Sequence, residues 1–69
     1  MQCIEKRVGA KIQEIRKAKG ITQDQLALKA GLDRVHLYRI ENGKQSMTLK
    51  TLELIAQTLA VTEAELLQK

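Results

Sequence analysis

Sixty-nine residues make one small domain, able to bury only about 60% of the surface its unfolded chain exposes: a modest core and little else. With 43% apolar and 29% charged residues it has the balance of a globular domain rather than a disordered tail, and with Tyr38 as the only aromatic side chain its core must be aliphatic. The net charge of +4 is uneven, +6 over residues 1–50 and −2 over residues 51–69, so an anionic partner, nucleic acid or an anionic membrane, is expected for the first part.

Five helices are expected along the chain, and no strand pattern competes. The first runs from about Ile4 to Lys19, with Ile4, Val8, Ile12 and Ile15 on one stripe at helical spacing. Lys6, Arg7, Lys11, Arg16, Lys17 and Lys19 occupy much of the rest. Gly9 lies inside this helix, where it costs about 1 kcal/mol relative to alanine; either it permits a close helix contact or it is neutral. Cys3, just ahead, is the only cysteine, so there is no disulfide framework and no cysteine-based metal site. Cys3 and His36 offer only two metal ligands, far apart in sequence, and neither a metal, a cofactor nor a small-molecule ligand is expected. No secretory signal is present and no apolar run approaches the roughly 18 residues of a membrane span, so the cytoplasm is the expected compartment, with no membrane partner.

The second helix begins at Thr22, a good N-cap, with Gln25 three residues on completing a capping box. It carries Leu26, Ala27 and Ala30 inward and stops at Gly31. The third runs from about Asp33, its N-cap, to Asn42. The fourth follows Thr48 and carries Leu49, Leu52, Ile55, Ala56 and Leu59. The fifth is short: Thr62 and Glu65 form a second capping box ahead of Leu66 and Leu67. Gly20, Gly31 and Gly43 each fall just past the end of an amphipathic segment.

Only Gly31, Leu32 and Asp33 join the second and third helices, and so tight a join forces a large crossing angle. That is the helix-turn-helix arrangement, in which the second helix of the pair enters the DNA major groove. On the third helix, at about 100° per residue, Leu37, Ile40 and Glu41 share one face and Val35, Tyr38, Arg39 and Asn42 the opposite one, flanked by Arg34 and His36. Arginine suits bidentate hydrogen bonding to guanine, Val35 suits a thymine methyl, and Tyr38 and His36 suit phosphates or base edges. The plainer alternative is a solvated helix face; a helix-turn-helix signature in a basic domain weighs against it.

The segment Thr22-Gln23-Asp24-Gln25-Leu26-Ala27, through Ala30-Gly31-Leu32 and on to Ile40-Glu41-Asn42-Gly43-Lys44, resembles the lambda-repressor-like, or Xre-type, DNA-binding family. Lambdoid phage repressors and Cro proteins belong to it. Leu32-Asp33-Arg34 and the run from Thr48 to Ile55 look most like the controller proteins of restriction–modification systems. The resemblance covers roughly residues 8–67. It implies an all-α, compact five-helix fold with a helix-turn-helix over about residues 22–42. It also implies base contacts from Arg34, Val35 and Arg39, with His36 and Tyr38 less settled between bases and phosphates. Thr22 and Gln23 at the start of the second helix, and Asn42, Lys44, Gln45 and Ser46 after the third, are expected on DNA phosphates, which position the protein but carry little sequence information; the resemblance also implies that Gln23 braces the recognition helix. Arg16 and Glu41 match positions the family pairs in a partly buried ion pair, a brace rather than a DNA contact. Ala60 departs from the family, which commonly has glycine there, and this leaves the turn into Val61 open to a different geometry.

Leu54 lies off the main stripe of the fourth helix, and Met47, Val61, Leu66 and Leu67 are near it in sequence. So small a monomer has little room for them all, and exposed apolar residues beside a basic face imply a homodimer formed through about residues 47–69. The plainer alternative is that they complete the monomer core. A two-fold dimer reads a palindromic operator on double-stranded DNA, with half-sites on the order of 34 Å apart. With the sequence ending at Lys69, no effector domain is expected, and the reading is a small bacterial or phage-encoded repressor or activator that responds through its own concentration. An antitoxin that binds a partner toxin and regulates its own operon is the alternative; its signature, an extra tail or disordered segment, is not visible. An enzyme is the least favoured class, because His36 and Cys3 are too distant in sequence to suggest a dyad.

Overall fold

The computed structural model describes residues 3–68. Its helices are α1 (Ile4–Ala18), α2 (Gln23–Ala30), α3 (Arg34–Glu41), α4 (Leu49–Leu59) and α5 (Glu63–Leu67), with no strand among the described residues. Local chemistry sets the starts of α2 to α5. The Thr22 hydroxyl accepts from the Gln25 N–H at 3.1 Å while Gln25 Oε1 accepts from the Thr22 N–H at 2.9 Å, a complete capping box. Asp33 caps α3 through the Val35 N–H at 2.9 Å, and Thr48 and Thr62 cap α4 and α5 through the N–H groups of Thr51 and Glu65.

The core takes residues from every helix. Ile12, Leu26, Leu37, Ile40, Ile55, Leu59 and Leu66 are fully buried, each contributing about 1.5–3 kcal/mol by leaving water. α1 packs on α3 and α5, α2 on α3 and α4, and α4 on α5. α3 is therefore held between the first two helices, with its other side left open.

The structure departs from the expected apolar stripes at three places. Ile4 and Leu49, expected inward, are 52% and 83% exposed. Each is the first residue of its helix, and angular position alone does not bring a neighbour alongside a helix end. Leu66, expected on a dimer surface, is instead completely buried. α5 folds back on α1 and α4, so Leu66 fills the monomer core and only Leu67, one residue and about 100° further round, emerges. Met47, Leu54 and Val61 are partly buried against that core.

Ala60 makes the turn that glycine commonly makes. It is left-handed, with φ 59° and ψ 40°. The Val61 N–H reaches the Ala56 carbonyl at 3.0 Å, as the Leu32 N–H after Gly31 reaches Ala27 at 2.8 Å. A Cβ in this conformation costs about 1–2 kcal/mol, partly offset because alanine loses less chain entropy on folding than glycine, about 0.4–1 kcal/mol. Ala60→Gly is expected to stabilise the protein by roughly 0.5–1 kcal/mol, raising the thermal midpoint by a few degrees, on the order of 4 °C. Circular dichroism melting checks this; a lowered midpoint would show that the methyl group's packing outweighs the strain.

Candidate nucleic-acid interface

The turn between α2 and α3 depends on Gly31, at φ 73° and ψ 32°. The space around it is open, so the backbone conformation, not crowding, calls for glycine. Asp33 then starts α3, which turns Leu37, Ile40 and Glu41 inward. Arg34, Val35, Tyr38 and Arg39 remain on the open side, Val35 at 57% and Tyr38 at 51% exposure. His36 is half-buried on the flank, where it has less reach than its neighbours.

Two features fix α3 against the rest of the molecule. The first is the approach of α1. A Cβ on Gly9 would collide with the Ile40 carbonyl oxygen and lie 2.9 Å from that of Glu41. Gly9 thus lets the backbones of α1 and α3 touch, which resolves the choice its place in the sequence left open. The second is a buried polar cluster. Arg16 Nε donates to Glu41 Oε2 at 2.7 Å and Nη2 to Oε1 at 3.0 Å, a bidentate pair. Arg16 Nη1 also donates to the Ile21 carbonyl at 2.9 Å. Gln23 Nε2 adds a third donor to the carboxylate, 3.0 Å from Oε1. One carboxylate thereby ties the end of α3 to α1, to the following turn and to the start of α2.

The residues expected on phosphates divide into groups. Gln23 is half-buried and its amide engages Glu41 of α3, a brace of the kind the family resemblance implies, though spacing alone does not name the partner. The backbone N–H groups of Gln23 and Asp24 lie at the helix start, where no intrahelical acceptor exists and an anion is favoured. Thr22 is occupied as the cap. Asn42 Nδ2 donates to the Tyr38 carbonyl at 2.8 Å, closing the end of α3, and Lys44 and Gln45 are exposed. Ser46 points elsewhere: its hydroxyl donates to Glu5 Oε2 at 2.8 Å. That bond holds the Glu5 carboxyl below the usual carboxylate range, and a carboxylate so placed repels phosphate. Gln45 and Ser46 also line an apolar groove of about 410 Å³ with Ile4, Met47, Leu49 and Leu67.

Two cations of α1 join this face without having been singled out by the sequence. The Gly43 backbone packs on Lys6, whose Cα would lie 2.7 Å from an added Cβ, so Lys6 stands beside the Asn42–Lys44 loop. Lys17 lines an open hollow of about 540 Å³ with Gln13, Gln23 and the turn before α2. Lys6, Gln13 and Lys17 share one stripe at helical spacing. That spacing is visible in the sequence, but only the docking of α1 on α3 shows which way the stripe faces. No cluster of potential metal ligands exists among the described residues, and none of the described helices is long and apolar enough to cross a membrane.

Known proteins share this arrangement. Residues 12–66 match the helix-turn-helix family HTH_3. The chain is 39% identical over 67 residues to the control protein C.MunI of Mycoplasma sp, spanning 96% of this chain and 90% of that protein. It is 44% identical over 54 residues to the immunity repressor protein of Bacillus phage phi105, spanning 78% of this chain but 38% of the repressor. The crystal structure of the restriction–modification controller protein C.AhdI from Aeromonas hydrophila matches with a TM-score of 0.86 at 33% identity, over 88% of this chain and 92% of that one. The open, braced third helix and these relatives together show that the chain belongs to the HTH_3 (Xre-type) family of DNA-binding, non-enzymatic transcriptional regulators.

Proposed function

We propose that this protein is a sequence-specific regulator that binds a palindromic operator as a homodimer, with α3 in the major groove. One observation carries the reading: α3 is clamped along its inner side through Glu41, Arg16 and Gly9 while Arg34, Val35, Tyr38 and Arg39 are exposed on the outer side. Rigid support behind an exposed set of donors is what base reading requires. Arg34, Val35 and Arg39 read bases, with Tyr38 beside them and His36 at the edge. The start of α2 and Asn42 to Gln45 hold phosphates. The relatives named as controllers and as an immunity repressor support a regulator of either kind, working in the cytoplasm of a bacterium.

In this reading residues 1–69 form one domain, with the helix-turn-helix at about 22–42 and dimer contacts in about 47–69. Met47, Leu54, Val61 and Leu67 supply those contacts, joined by Leu49, which is 83% exposed; Leu66 supports them from within. Titrating labelled operator DNA at several salt concentrations tests the division of labour. Arg39→Ala or Arg34→Ala is expected to cost about 1–3 kcal/mol on the operator and to relax specificity. Lys44→Ala is expected to weaken all sequences alike and to lower the salt slope by about one. Unchanged base preference in both arginine variants would exclude α3 as the reading helix.

A further inference from the structure

We propose that Asp24 is a specificity-determining positioning residue that aims Arg34 at a single base pair. The inference rests on the reading of α3 as the base-contacting helix. Asp24 is the second residue of α2 and Arg34 the first of α3. Arg34 Nη1 donates across the turn to the two carboxylate oxygens of Asp24, at 3.3 and 3.5 Å. Both side chains are 68% exposed, so the pair contributes little to folding. Its consequence lies in where it holds the guanidinium.

The two residues, with Gln23, Val35 and Tyr38, line a shallow hollow of about 350 Å³ on the open side of α3. Arginine carries its donors in a planar fork. Engaging Nη1 leaves the edge formed by Nε and Nη2, the pair of parallel donors that fits guanine O6 and N7. A long side chain held before DNA arrives loses less freedom on binding. The carboxylate acts in a second way. It is acceptor-only and negatively charged, so it disfavours a phosphate beside the guanidinium. Without it, Arg34 is free to swing to the DNA backbone, where every sequence offers the same partner. Arg39 has no carboxylate partner among the described residues. The two arginines of α3 therefore differ: one is held, the other free to adapt.

The test measures binding of the wild-type protein, Asp24→Ala, Asp24→Glu, Arg34→Ala and the Ala/Ala double variant. The DNA is an operator enriched from a random library, its single-base-pair variants, and a random duplex, each at two salt concentrations. Asp24→Ala is expected to lower discrimination about tenfold at the one base pair that Arg34→Ala also relaxes, and to leave other positions unchanged. It should bind random duplex more tightly, with a salt slope steeper by about one, and melt like the wild type. Asp24→Glu should restore much of the discrimination, and the double variant should discriminate no worse than Arg34→Ala. Wild-type discrimination in Asp24→Ala, a uniform loss at all positions, or additive losses in the double variant would each overturn the proposal. If Arg34→Ala relaxes one position and Asp24→Ala none, only this inference fails. If neither arginine of α3 affects base preference, the reading of α3 fails and takes this inference with it.

Discussion

Glu41→Ala is expected to destabilise the protein by about 3–5 kcal/mol, a large part of the total stability of a domain this size. The Glu41 side chain is completely buried and that of Arg16 is 8% exposed. Truncating Glu41 strips Arg16 of two hydrogen bonds and Gln23 of one, leaving only the Ile21 carbonyl to receive the buried guanidinium. The loss is dominated by this orphaned charge, not by the intrinsic value of the pair, because desolvating two ions offsets much of their attraction. A double variant with apolar residues of similar volume, Arg16→Met with Glu41→Leu, should therefore recover most of the stability. Urea unfolding followed by circular dichroism distinguishes the cases. A loss below about 1 kcal/mol for Glu41→Ala would mean that the cluster is water-accessible and behaves as a surface pair.

Gly9→Ala is the second large effect. In an ordinary helix the change would stabilise by about 1 kcal/mol. Here the new methyl meets the backbone carbonyls of Ile40 and Glu41, which cannot rotate away as a side chain would. α1 and α3 must part, and overpacking of this kind costs about 1–3 kcal/mol or more. The net expectation is a destabilisation on the order of 1–2 kcal/mol, opposite in sign to the propensity scale. Because the displaced element is α3, operator binding should fall more than binding to random duplex, even at temperatures where the variant is fully folded. Thermal melting and paired titrations measure both. A stabilised variant with intact operator preference would show that the two helices separate without consequence.

Much of the fold is legible in the sequence because its signals are local. Thr22, Asp33, Thr48 and Thr62 each cap the helix they precede, and a cap needs only the next turn of its own helix. The inward positions of Leu26, Ala27, Ala30, Leu37 and Ile40 follow from helical spacing. What escapes is set by how helices meet. Ile4 and Leu49 have the right angle but no neighbour, whereas Leu66 is buried because α5 folds back over α1 and α4. Gly9 looks costly until α3 is placed against it.

The site divides in the same way. The exposure of Arg34, Val35, Tyr38 and Arg39 follows from the period of one helix. The link from Gln23 to Glu41 spans two helices, the ion pair from Asp24 to Arg34 crosses a turn, and Lys6 meets the loop after α3 only in the folded chain. Ser46 reads as one of a polar run beside Lys44, yet its partner is Glu5, far away in sequence. Helical period names none of these partners, nor the side that Lys6 faces, since they arise from tertiary contacts alone.

The most direct measurement is selection of bound duplexes from a random-sequence DNA library by the full chain. It should enrich one sequence with two inverted half-sites whose centres lie about one helical turn, 10–10.5 base pairs, apart or a multiple of that. The enrichment should weaken at defined positions in Arg34→Ala and Arg39→Ala. Recovery of no preferred sequence, or of a single asymmetric site bound by one copy of the chain, would contradict a homodimeric reader that uses α3.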